Sequence, residues 1–579
     1  MSYLIRIEQG GIPQYKYKKR KTLYFSEFIR VKDGINIFQG EFHSTIHDLE
    51  GINWISSPEL LCDIDAPFTM IKVDKKCKMI YFASSKYGEV QMYYYYQNGE
   101  LIISDDFWEI VNQLSISFDK LDIESIKEYL PIGYPLFDGT YIKDLHVVNS
   151  SMFFQYDWVK DCLSTQQYYV LSVSGTDQSL NKATDELDKK LNEAFKRIYS
   201  EVGDVQFATG LSGGLDSRLI PHYAKQNHIK LCSYILGEPR PRYIFLSRDH
   251  RNSRKLAAIF GLKHEDCKWS KDVFNDTVYY DIKNSPLSDQ QFFKGRSDIN
   301  FDVLLTGGSG YYVGSRFPAN LQELSEEELA FKLIRLFKPV DPYGEKFRIV
   351  NAACRILFGR EIKRKQNIPW ADKFYNVTIN QNAIAKIKAF IHERREMGRD
   401  NLSIFLDWFD FCGARNMFGG YESLNGRVRA FSIYNPHVVN TVLGWKFDFF
   451  EDRRCLKNLI LKHVSETVEV KEQKHEGKIG SKSNFFQKLL NGFLFFLFGN
   501  GSDIEIYKFK YIKDDFYKTM TNECKWFYNI FDIRNNVNEM MKFNGKRFLM
   551  EIWKIKMVID FIETGEYKKF IDSEILKSV

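Results

Sequence analysis

One loop carries most of the residue types that could do chemistry. A short apolar run, residues 205–208, leads into it, and apolar residues recur at helical spacing behind it, an order typical of strand, loop and helix. The loop residues are Leu211, Ser212, Gly213, Gly214, Leu215, Asp216 and Ser217. The first N–H groups of a helix lack partners within it, and the helix dipole favours negative charge there. The order therefore predicts a phosphate-binding loop.

The side chains of this loop suit a phosphate ligand. Gly213 and Gly214 let the backbone approach an anion closely, while Ser212 and Ser217 add hydroxyl donors. Asp216 would repel a phosphate unless a cation lay between them, so we interpret it as a ligand of Mg²⁺ bound to a polyphosphate. The alternative is an ordinary helix N-cap in a tight turn, which needs only one of these residues. The loop is not a Walker A motif, because no Gly-Lys-Ser/Thr follows.

Residues 212–217, Ser-Gly-Gly-Leu-Asp-Ser, resemble the pyrophosphate-binding loop of the ATP pyrophosphatases. Leu211 and the flanking segments resemble the asparagine synthetase branch, which includes β-lactam synthetase. The resemblance implies that ATP and Mg²⁺ are the cofactors and that residues 211–217 bind the nucleotide.

A second glycine-rich loop follows the apolar run 303–305. It lies where the family has Ser-Gly-Glu-Gly-Ser-Asp-Glu, so the resemblance implies nucleotide-binding roles for Gly307 and Ser309. The family's catalytic Glu and magnesium-binding Asp are replaced by Gly308 and Tyr311, and its last Glu by Tyr312. Their loss should weaken metal positioning and the stabilisation of leaving pyrophosphate. Acids of the substrate, or a neighbour such as Asp302, would have to compensate.

A lysine-containing segment lies further along the chain. Residues 471–477, Lys-Glu-Gln-Lys-His-Glu-Gly, resemble the flexible loop in which asparagine and β-lactam synthetases carry a catalytic lysine. The resemblance implies that Lys471 or Lys474 offsets charge developing on the α-phosphate. The sequence does not choose between the two, and a solvated lysine-rich loop is the alternative. His264 also matches a family position, where a structural and a functional role stay open.

The N-terminal residues predict a β-rich layered domain, because short apolar and polar runs alternate over residues 1–170. Consecutive strands are predicted at 79–83, 92–96 and 101–104, with turns at Gly88 and at Asn98-Gly99. The segment order resembles the glutaminase domain of asparagine synthetases. Those enzymes expose Cys after the initiator Met, where this chain has Ser2. Their glutamine-holding Asn-Gly-Glu precedes a Leu-Tyr-Tyr strand, whereas residues 98–100 follow it, so we expect no glutamine hydrolysis.

Composition limits the class of protein. The chain has 579 residues, 44% of them hydrophobic and 27% charged, which is typical of a globular protein of two or three domains. A net charge of +6 with short basic runs argues against a nucleic-acid partner. Nine cysteines without CxxC pairs predict reduced thiols in a cytoplasmic protein. The apolar run 493–498 falls short of the roughly 20 residues of a spanning helix, so we expect no integral membrane segment.

Together these observations predict an α/β fold. Residues 1–170 would form degenerate Ntn-hydrolase-like α/β/β/α layers, and residues 171–579 an ATP pyrophosphatase (adenine nucleotide α-hydrolase-like) domain with a parallel sheet and additional helices. The expected function is an AMP- and pyrophosphate-forming amide ligase that adenylates a small-molecule, saccharide or peptide carboxylate. Ammonia or a substrate amine, not glutamine, would be the nucleophile. A catalytically silent nucleotide-binding or scaffold protein is the alternative, and a tRNA- or nucleobase-modifying enzyme is a third, less favoured one. The identity of the acceptor stays open, and so does the formation of a homodimer.

Overall fold

The fold is given by a computed structural model of the chain. It describes residues 2–18, 25–31, 33–40, 43–114, 116, 118–132, 135–236, 248–267, 282, 287, 301–308, 310, 312–314, 320–337, 377–409, 411, 429–451, 453–470, 546–570 and 577–578.

Two antiparallel sheets, each of six described strands, form the N-terminal part. The first contains β1 (Ser2–Glu8), β2 (Gln14–Lys18), β7 (Tyr93–Gln97), β8 (Glu100–Ser104), β9 (Leu145–Val147) and β17 (Lys577–Ser578), in the order β17-β2-β1-β8-β7-β9. The second contains β3 (Phe25–Val31), β4 (Gly34–Gly40), β5 (Phe68–Asp74), β6 (Met79–Ser84), β10 (Met152–Asp157) and β11 (Cys162–Gln167), in the order β11-β10-β6-β5-β4-β3.

The two sheets pack face to face because their strands alternate in what they bury. In β6, Ile80 and Phe82 enter the core between the sheets, whereas Tyr81 and Ala83 belong to the core on the opposite face. That outer core is covered by α1 (His43–Gly51), and α2 (Phe107–Leu114) covers the first sheet. The predicted α/β/β/α layers are confirmed.

The turn between β7 and β8 confirms the predicted hairpin. Asn98 has φ 52° and Gly99 has φ 75°, so both central residues of the two-residue turn are left-handed, as a type I′ turn requires. The N–H of Gln9 donates a 2.6 Å hydrogen bond to the carbonyl of Gly99. Residues 98–100 therefore form the hairpin turn and the first residue of β8.

A five-stranded parallel sheet forms the core of the C-terminal part. Its strands are β12 (Phe207–Gly210), β13 (Leu231–Leu236), β14 (His264–Cys267), β15 (Val303–Thr306) and β16 (Arg429–Ser432). Their order is β14-β13-β12-β15-β16. Strand β12, the first of this sheet in sequence, is thus its central strand. Strands β13 and β14 follow on one side of β12, and β15 and β16 lie on the other side. In such sheets the loops that leave the two strands at this switch point run to opposite faces, and ligands bind outside the carboxyl ends of the strands between them.

Helices flank the parallel sheet and extend the C-terminal part. The remaining described α-helices are α3 (Ile123–Ile132), α4 (Leu180–Val202), α5 (Asp216–Gln226), α6 (Arg248–Phe260), α7 (Glu326–Phe337), α8 (Val377–Glu396), α9 (Asn401–Trp408), α10 (Pro436–Val442), α11 (Phe447–Phe450), α12 (Arg454–His463) and α13 (Lys546–Thr564). Short 3-10 helices span Pro58–Asp63, Phe118–Lys120, Leu321–Glu323, Ser465–Thr467 and Glu566–Phe570. In α4, Leu187, Leu191 and Ile198 recur at helical spacing and are buried.

The end of the chain returns to the N-terminal sheets. The ring of Trp108 in α2 stacks on Tyr567 at 5.8 Å and lies 6.3 Å from Phe561 of α13. Strand β17 then pairs with β2. The division at residue 170 stays a prediction, but these C-terminal residues pack with the first 170. No helix within the described ranges is long and apolar enough to cross a membrane; the apolar run 493–498 lies outside those ranges.

A charged cluster joins the N-terminal layers to the helices of the C-terminal part. The ring of His437 in α10 has Nδ1 3.4 Å from Asp65 Oδ2 and Nε2 2.8 Å from Glu193 Oε2. Asn440, one turn later, also donates to the Asp65 carboxylate and accepts a 2.7 Å hydrogen bond from the Tyr87 hydroxyl. The hydrogen bond to Asp65 raises the pKa of His437, although burial opposes it.

This raised pKa predicts a pH-dependent contribution to stability. The folded state binds the His437 proton more tightly than the unfolded state, so the stabilisation is complete below the ordinary pKa of 6.5 and is lost as pH rises through the folded-state value. Urea unfolding should therefore show a larger gap between wild type and His437→Gln at about pH 5.5 than at about pH 8.5. In an Asp65→Asn background the gap at low pH should shrink. An equal gap at both pH values would contradict the assignment.

Candidate functional site

The predicted phosphate loop lies at the switch point of the parallel sheet. It joins β12 to α5, which confirms the predicted strand, loop and helix. The neighbouring strand β15 runs parallel to β12, so the loop after β15 emerges beside it. The structure thus brings residues 211–217 and Gly307 together, as the sequence predicts. Ser309 and Tyr311 lie outside the described residues.

Hydrogen bonds within the first loop fix its shape. The Ser217 hydroxyl lies 2.7 Å from the carbonyl of Ser212 and 3.0 Å from that of Gly214, to either of which it can donate. The N–H of Gly214 donates to Ser212 Oγ at 3.1 Å. Helix α5 begins at Asp216, and its N-cap residue, Leu215, provides no side-chain cap. This arrangement disfavours the ordinary N-cap interpretation and leaves the helix N-terminus suited to an external anion.

Asp216 is contacted by residues from distant parts of the chain. Its Oδ1 accepts a 2.6 Å hydrogen bond from the hydroxyl of Tyr434, and its Oδ2 accepts a 3.2 Å hydrogen bond from Nη1 of Arg453. Tyr434 is buried, and burial, followed by the Asp216 carboxylate, holds the pKa of this phenol well above its usual range. Tyr434 therefore stays protonated and donates to the carboxylate.

The second loop packs directly on the same side chain. A Cβ placed on Gly307 would lie 2.5 Å from Cβ of Asp216, and one on Gly310 would lie 3.3 Å from its Oδ1. Only glycine permits such close approach without displacement. The hydroxyl of Ser432 in β16 accepts the N–H of Tyr434 and donates to the carbonyl of Gly308, which links this loop to the strand beside it.

Arg218 ties the phosphate loop to the segment that precedes the predicted catalytic lysines. Its guanidinium is fully buried and donates to the carbonyls of Gly213 at 3.1 Å, Val470 at 2.8 Å and Thr467. The side chain of Val470 packs with Leu211 in a small apolar cluster. Lys471 follows Val470 in sequence. Lys471 and Lys474 themselves lie outside the described residues.

The arrangement around Asp216 does not fit a magnesium ion held by the protein alone. Within the described ranges, His, Cys, Asp and Glu nowhere gather in the groups of three or more that bind metals. Both Asp216 oxygens already accept hydrogen bonds, one of them from a guanidinium. Asp216 as a magnesium ligand therefore stays a prediction.

Asp302, the neighbouring acid that the sequence left open as a substitute for the missing acids, lies away from the two loops. Asp302 precedes β15 and its Oδ2 accepts the N–H of Gln206, which precedes β12. It therefore lies at the amino edge of the sheet. With about 3.3 Å per strand residue, the length of β15 puts roughly 13 Å between Asp302 and the loops.

His264 lies at the start of the edge strand β14. Its Nδ1 lies 2.9 Å from the hydroxyl of Ser233 and its Nε2 lies 3.1 Å from that of Ser253. Burial lowers the pKa of His264. A neutral ring held by two hydroxyls at the sheet edge contributes to packing, and β13 separates it from β12.

Comparisons with known proteins give a weak sequence relationship. No protein-family model matches the chain. It is 26% identical over 293 residues to the "Probable asparagine synthetase [glutamine-hydrolyzing]" of Acanthamoeba polyphaga mimivirus, an alignment that covers 47% of this chain and 50% of the relative. The chain thus spans about half the length of the curated relative that it matches.

Solved structures resemble the chain only distantly. They include a U34-tRNA thiolase, NcsA, from Methanococcus maripaludis, at 12% identity over 61% of this chain and 85% of that one, with a TM-score of 0.22. Another is the glutamine phosphoribosylpyrophosphate amidotransferase of B. subtilis, at 7% identity over 40% and 58%, with a TM-score of 0.18. At such low TM-scores the superpositions are poor, and the architecture rests on the strand orders above.

Sequence reasoning missed Arg218, Tyr434 and Arg453. Arg218 had one available signal, since it is a charged residue directly before the apolar pair Leu219-Ile220 of α5. Tyr434 and Arg453 offer no local signal, because their partner Asp216 is more than two hundred residues away.

Gly307 provides a test of the contact between the loops. Gly307→Ala should lower the free energy of unfolding by about 1–3 kcal/mol, because the new methyl group must displace Asp216. Gly210→Ala is the matched control. Gly210 lies at the end of β12, and a Cβ added there would meet no atom nearer than 4.0 Å. The variant should change the free energy of unfolding by about 0.5 kcal/mol or less. Urea denaturation of both variants measures the difference. Equal stability of the two would contradict the packing described.

Arg218 provides a second test. Arg218→Met keeps the apolar stem but deprives buried carbonyls of their charged donor, so we expect a loss of about 3 kcal/mol or more in the free energy of unfolding. Lys225→Met removes a charge from the exposed face of the same helix and should be nearly neutral. Denaturant titration compares the two. A similar small effect for both would show that the Arg218 hydrogen bonds add little.

Proposed function

We propose that this chain is an ATP-dependent, AMP- and pyrophosphate-forming amide ligase of the asparagine synthetase-like type. The observation that carries the proposal is the loop at residues 211–217. It combines the Ser-Gly-Gly-Leu-Asp-Ser sequence, a helix N-terminus without a side-chain cap and a position at the switch point of a parallel sheet. The weak similarity to a probable asparagine synthetase supports the same class.

In the proposed reaction a substrate carboxylate oxygen attacks the α-phosphorus of ATP. The bond from the α-phosphorus to the bridging oxygen breaks, and pyrophosphate leaves toward the loop. The amides after Leu211 and the hydroxyl of Ser212 bind it, and the hydroxyl of Ser217, which donates to a loop carbonyl in the structure, would turn to the anion. An amine then attacks the acyl carbon, forms the amide and expels AMP, while a base accepts the proton of the amine. In-line positioning and fixed donors supply most of the rate enhancement in such steps.

The second loop and the lysine segment complete the proposed site. Gly307 and Ser309 would approach the nucleotide from the loop after β15. Lys471 or Lys474 would offset the charge that develops on the α-phosphate. The Arg218 hydrogen bond to Val470 supports this role, because it holds the residue before the lysine segment beside residues 211–217.

The nucleophile is proposed to be ammonia or an amine of the substrate. Glutamine hydrolysis would need a nucleophile and a glutamine cradle in the N-terminal layers. Position 2 holds Ser2, and the Asn-Gly-Glu tripeptide is used by the hairpin turn. Glu100 is also paired with Arg6 at 2.6 Å. The acceptor is proposed to be a small-molecule, saccharide or peptide carboxylate.

A catalytically silent nucleotide-binding or scaffold protein is the second candidate. It is favoured by the absence of acids at Gly308 and Tyr311 and by the pairing of Asp216 with Arg453. This candidate predicts that the protein binds ATP without releasing pyrophosphate from it. Turnover, not binding, therefore separates the two proposals.

Asp216→Ala tests the proposed catalytic site. We expect pyrophosphate release from ATP, measured with panels of carboxylate acceptors and ammonium, to fall by about 10²-fold or more, because the loops lose the side chain that aligns them. Asp302→Ala makes the same change at the opposite edge of the sheet and should stay within about twofold of wild type.

Calorimetry measures the binding of ATP and needs no acceptor substrate. A protein that binds ATP but releases no pyrophosphate from it would be the silent alternative. Full activity of Asp216→Ala would refute the assignment of the site. Binding by wild type without turnover on any acceptor would favour the silent protein.

A further inference from the structure

The charge of Asp216 poses a problem for any phosphate bound at residues 211–217. The carboxylate occupies the first position of α5, beside the backbone amides that would receive the anion. An unscreened carboxylate there would repel a phosphate, and the sequence alone suggested magnesium as the bridging cation. The structure shows a different cation in contact with this carboxylate, namely the guanidinium of Arg453, at 3.2 Å.

The ion pair is partly exposed. The side chain of Arg453 is 29% exposed and that of Asp216 is 20% exposed, so a ligand can reach both. A guanidinium has five N–H donors in a planar fork that matches phosphate oxygens. The hydrogen bond from Arg453 to Asp216 uses only one of the guanidinium nitrogens, Nη1. The fork can therefore contact the carboxylate and a phosphate at the same time.

The backbone at Arg453 is held in an unusual conformation. Arg453 has φ 54°, in the left-handed region that favours glycine or asparagine. Buried residues lie three positions before it and soon after it: Phe450 is buried, and so are Cys455 and Leu456 in the first turn of α12. Strained conformations persist where the surroundings impose them, and they concentrate at functional sites. An arginine kept at this position fixes a cation beside the phosphate loop.

We propose that Arg453 is the cation that bridges Asp216 and the pyrophosphate group of the nucleotide, so that phosphate binding at residues 211–217 needs no metal held by the protein. The inference deepens the proposed function and rests on it. The carboxylate orients the guanidinium, and the guanidinium cancels the carboxylate's repulsion of the anion. In this arrangement Asp216 acts as a positioning residue and Arg453 contacts the ligand.

The test uses the full chain and inorganic pyrophosphate as the probe. Calorimetry measures its dissociation constant in excess EDTA and again in excess MgCl₂. Wild type should bind in EDTA. Arg453→Gln should weaken that binding at least about tenfold, the effect of losing one hydrogen bond to a charged group. Arg454→Gln is the matched control, because it removes the same charge from the exposed neighbouring residue and should change the constant less than about threefold.

Two further variants keep the test decisive. Arg453→Asn is neutral, and its backbone readily adopts the left-handed conformation, so it should show the same loss even if Arg453→Gln does not fold. Arg453→Lys retains the charge without the planar fork and should bind with intermediate affinity. Thermal unfolding establishes which variants are folded.

The outcomes separate this inference from the proposed function. If wild type binds pyrophosphate only with magnesium, or if the neutral Arg453 variants bind as tightly as Arg454→Gln, Arg453 is not the bridging cation and the proposed function stands. If wild type binds neither pyrophosphate nor ATP under either condition, both proposals fail.

Discussion

The pairing of the Asp216 carboxylate determines the arrangement of the loops around it. An ionised carboxylate in a partly buried site is costly unless donors satisfy it. Tyr434 and Arg453 provide those donors, and Gly307 and Gly310 leave the space in which the side chain lies. These residues come from the ends of β15 and β16 and from the start of α12. Satisfying one side chain therefore fixes the mutual positions of segments that are distant in sequence.

The two arginines act on the same loop in different ways. Arg218 is fully buried and binds backbone carbonyls, so it fixes the shape of the loop and its attachment to residues 467–470. Arg453 is partly exposed and binds the carboxylate, so its charge remains available to a ligand at residues 211–217. One arginine thus stabilises the loop structure, and the other sets its electrostatic character.

The N-terminal layers contribute to the same region through packing and hydrogen bonds. The hydroxyl of Tyr87 donates to Asn440 in α10, and its ring lies 5.6 Å from that of Tyr312 in the second loop. Helix α10 begins directly after Tyr434 and Asn435, so the N-terminal sheets support the segment that satisfies Asp216. This contact gives the N-terminal layers a role in positioning the residues around Asp216.

Local patterns in the sequence determined the elements themselves. Apolar periodicity predicts α4, the Asn98-Gly99 pair predicts its hairpin, and the order of apolar run, glycines and hydroxyls predicts the loop before α5, because each depends on residues close in sequence. Only the tertiary structure decided which charges meet. It placed Arg453 on Asp216, set Asp302 at the opposite edge and returned β17 to the first sheet. Strand order and burial create these contacts between residues far apart in the chain, and no local pattern encodes them.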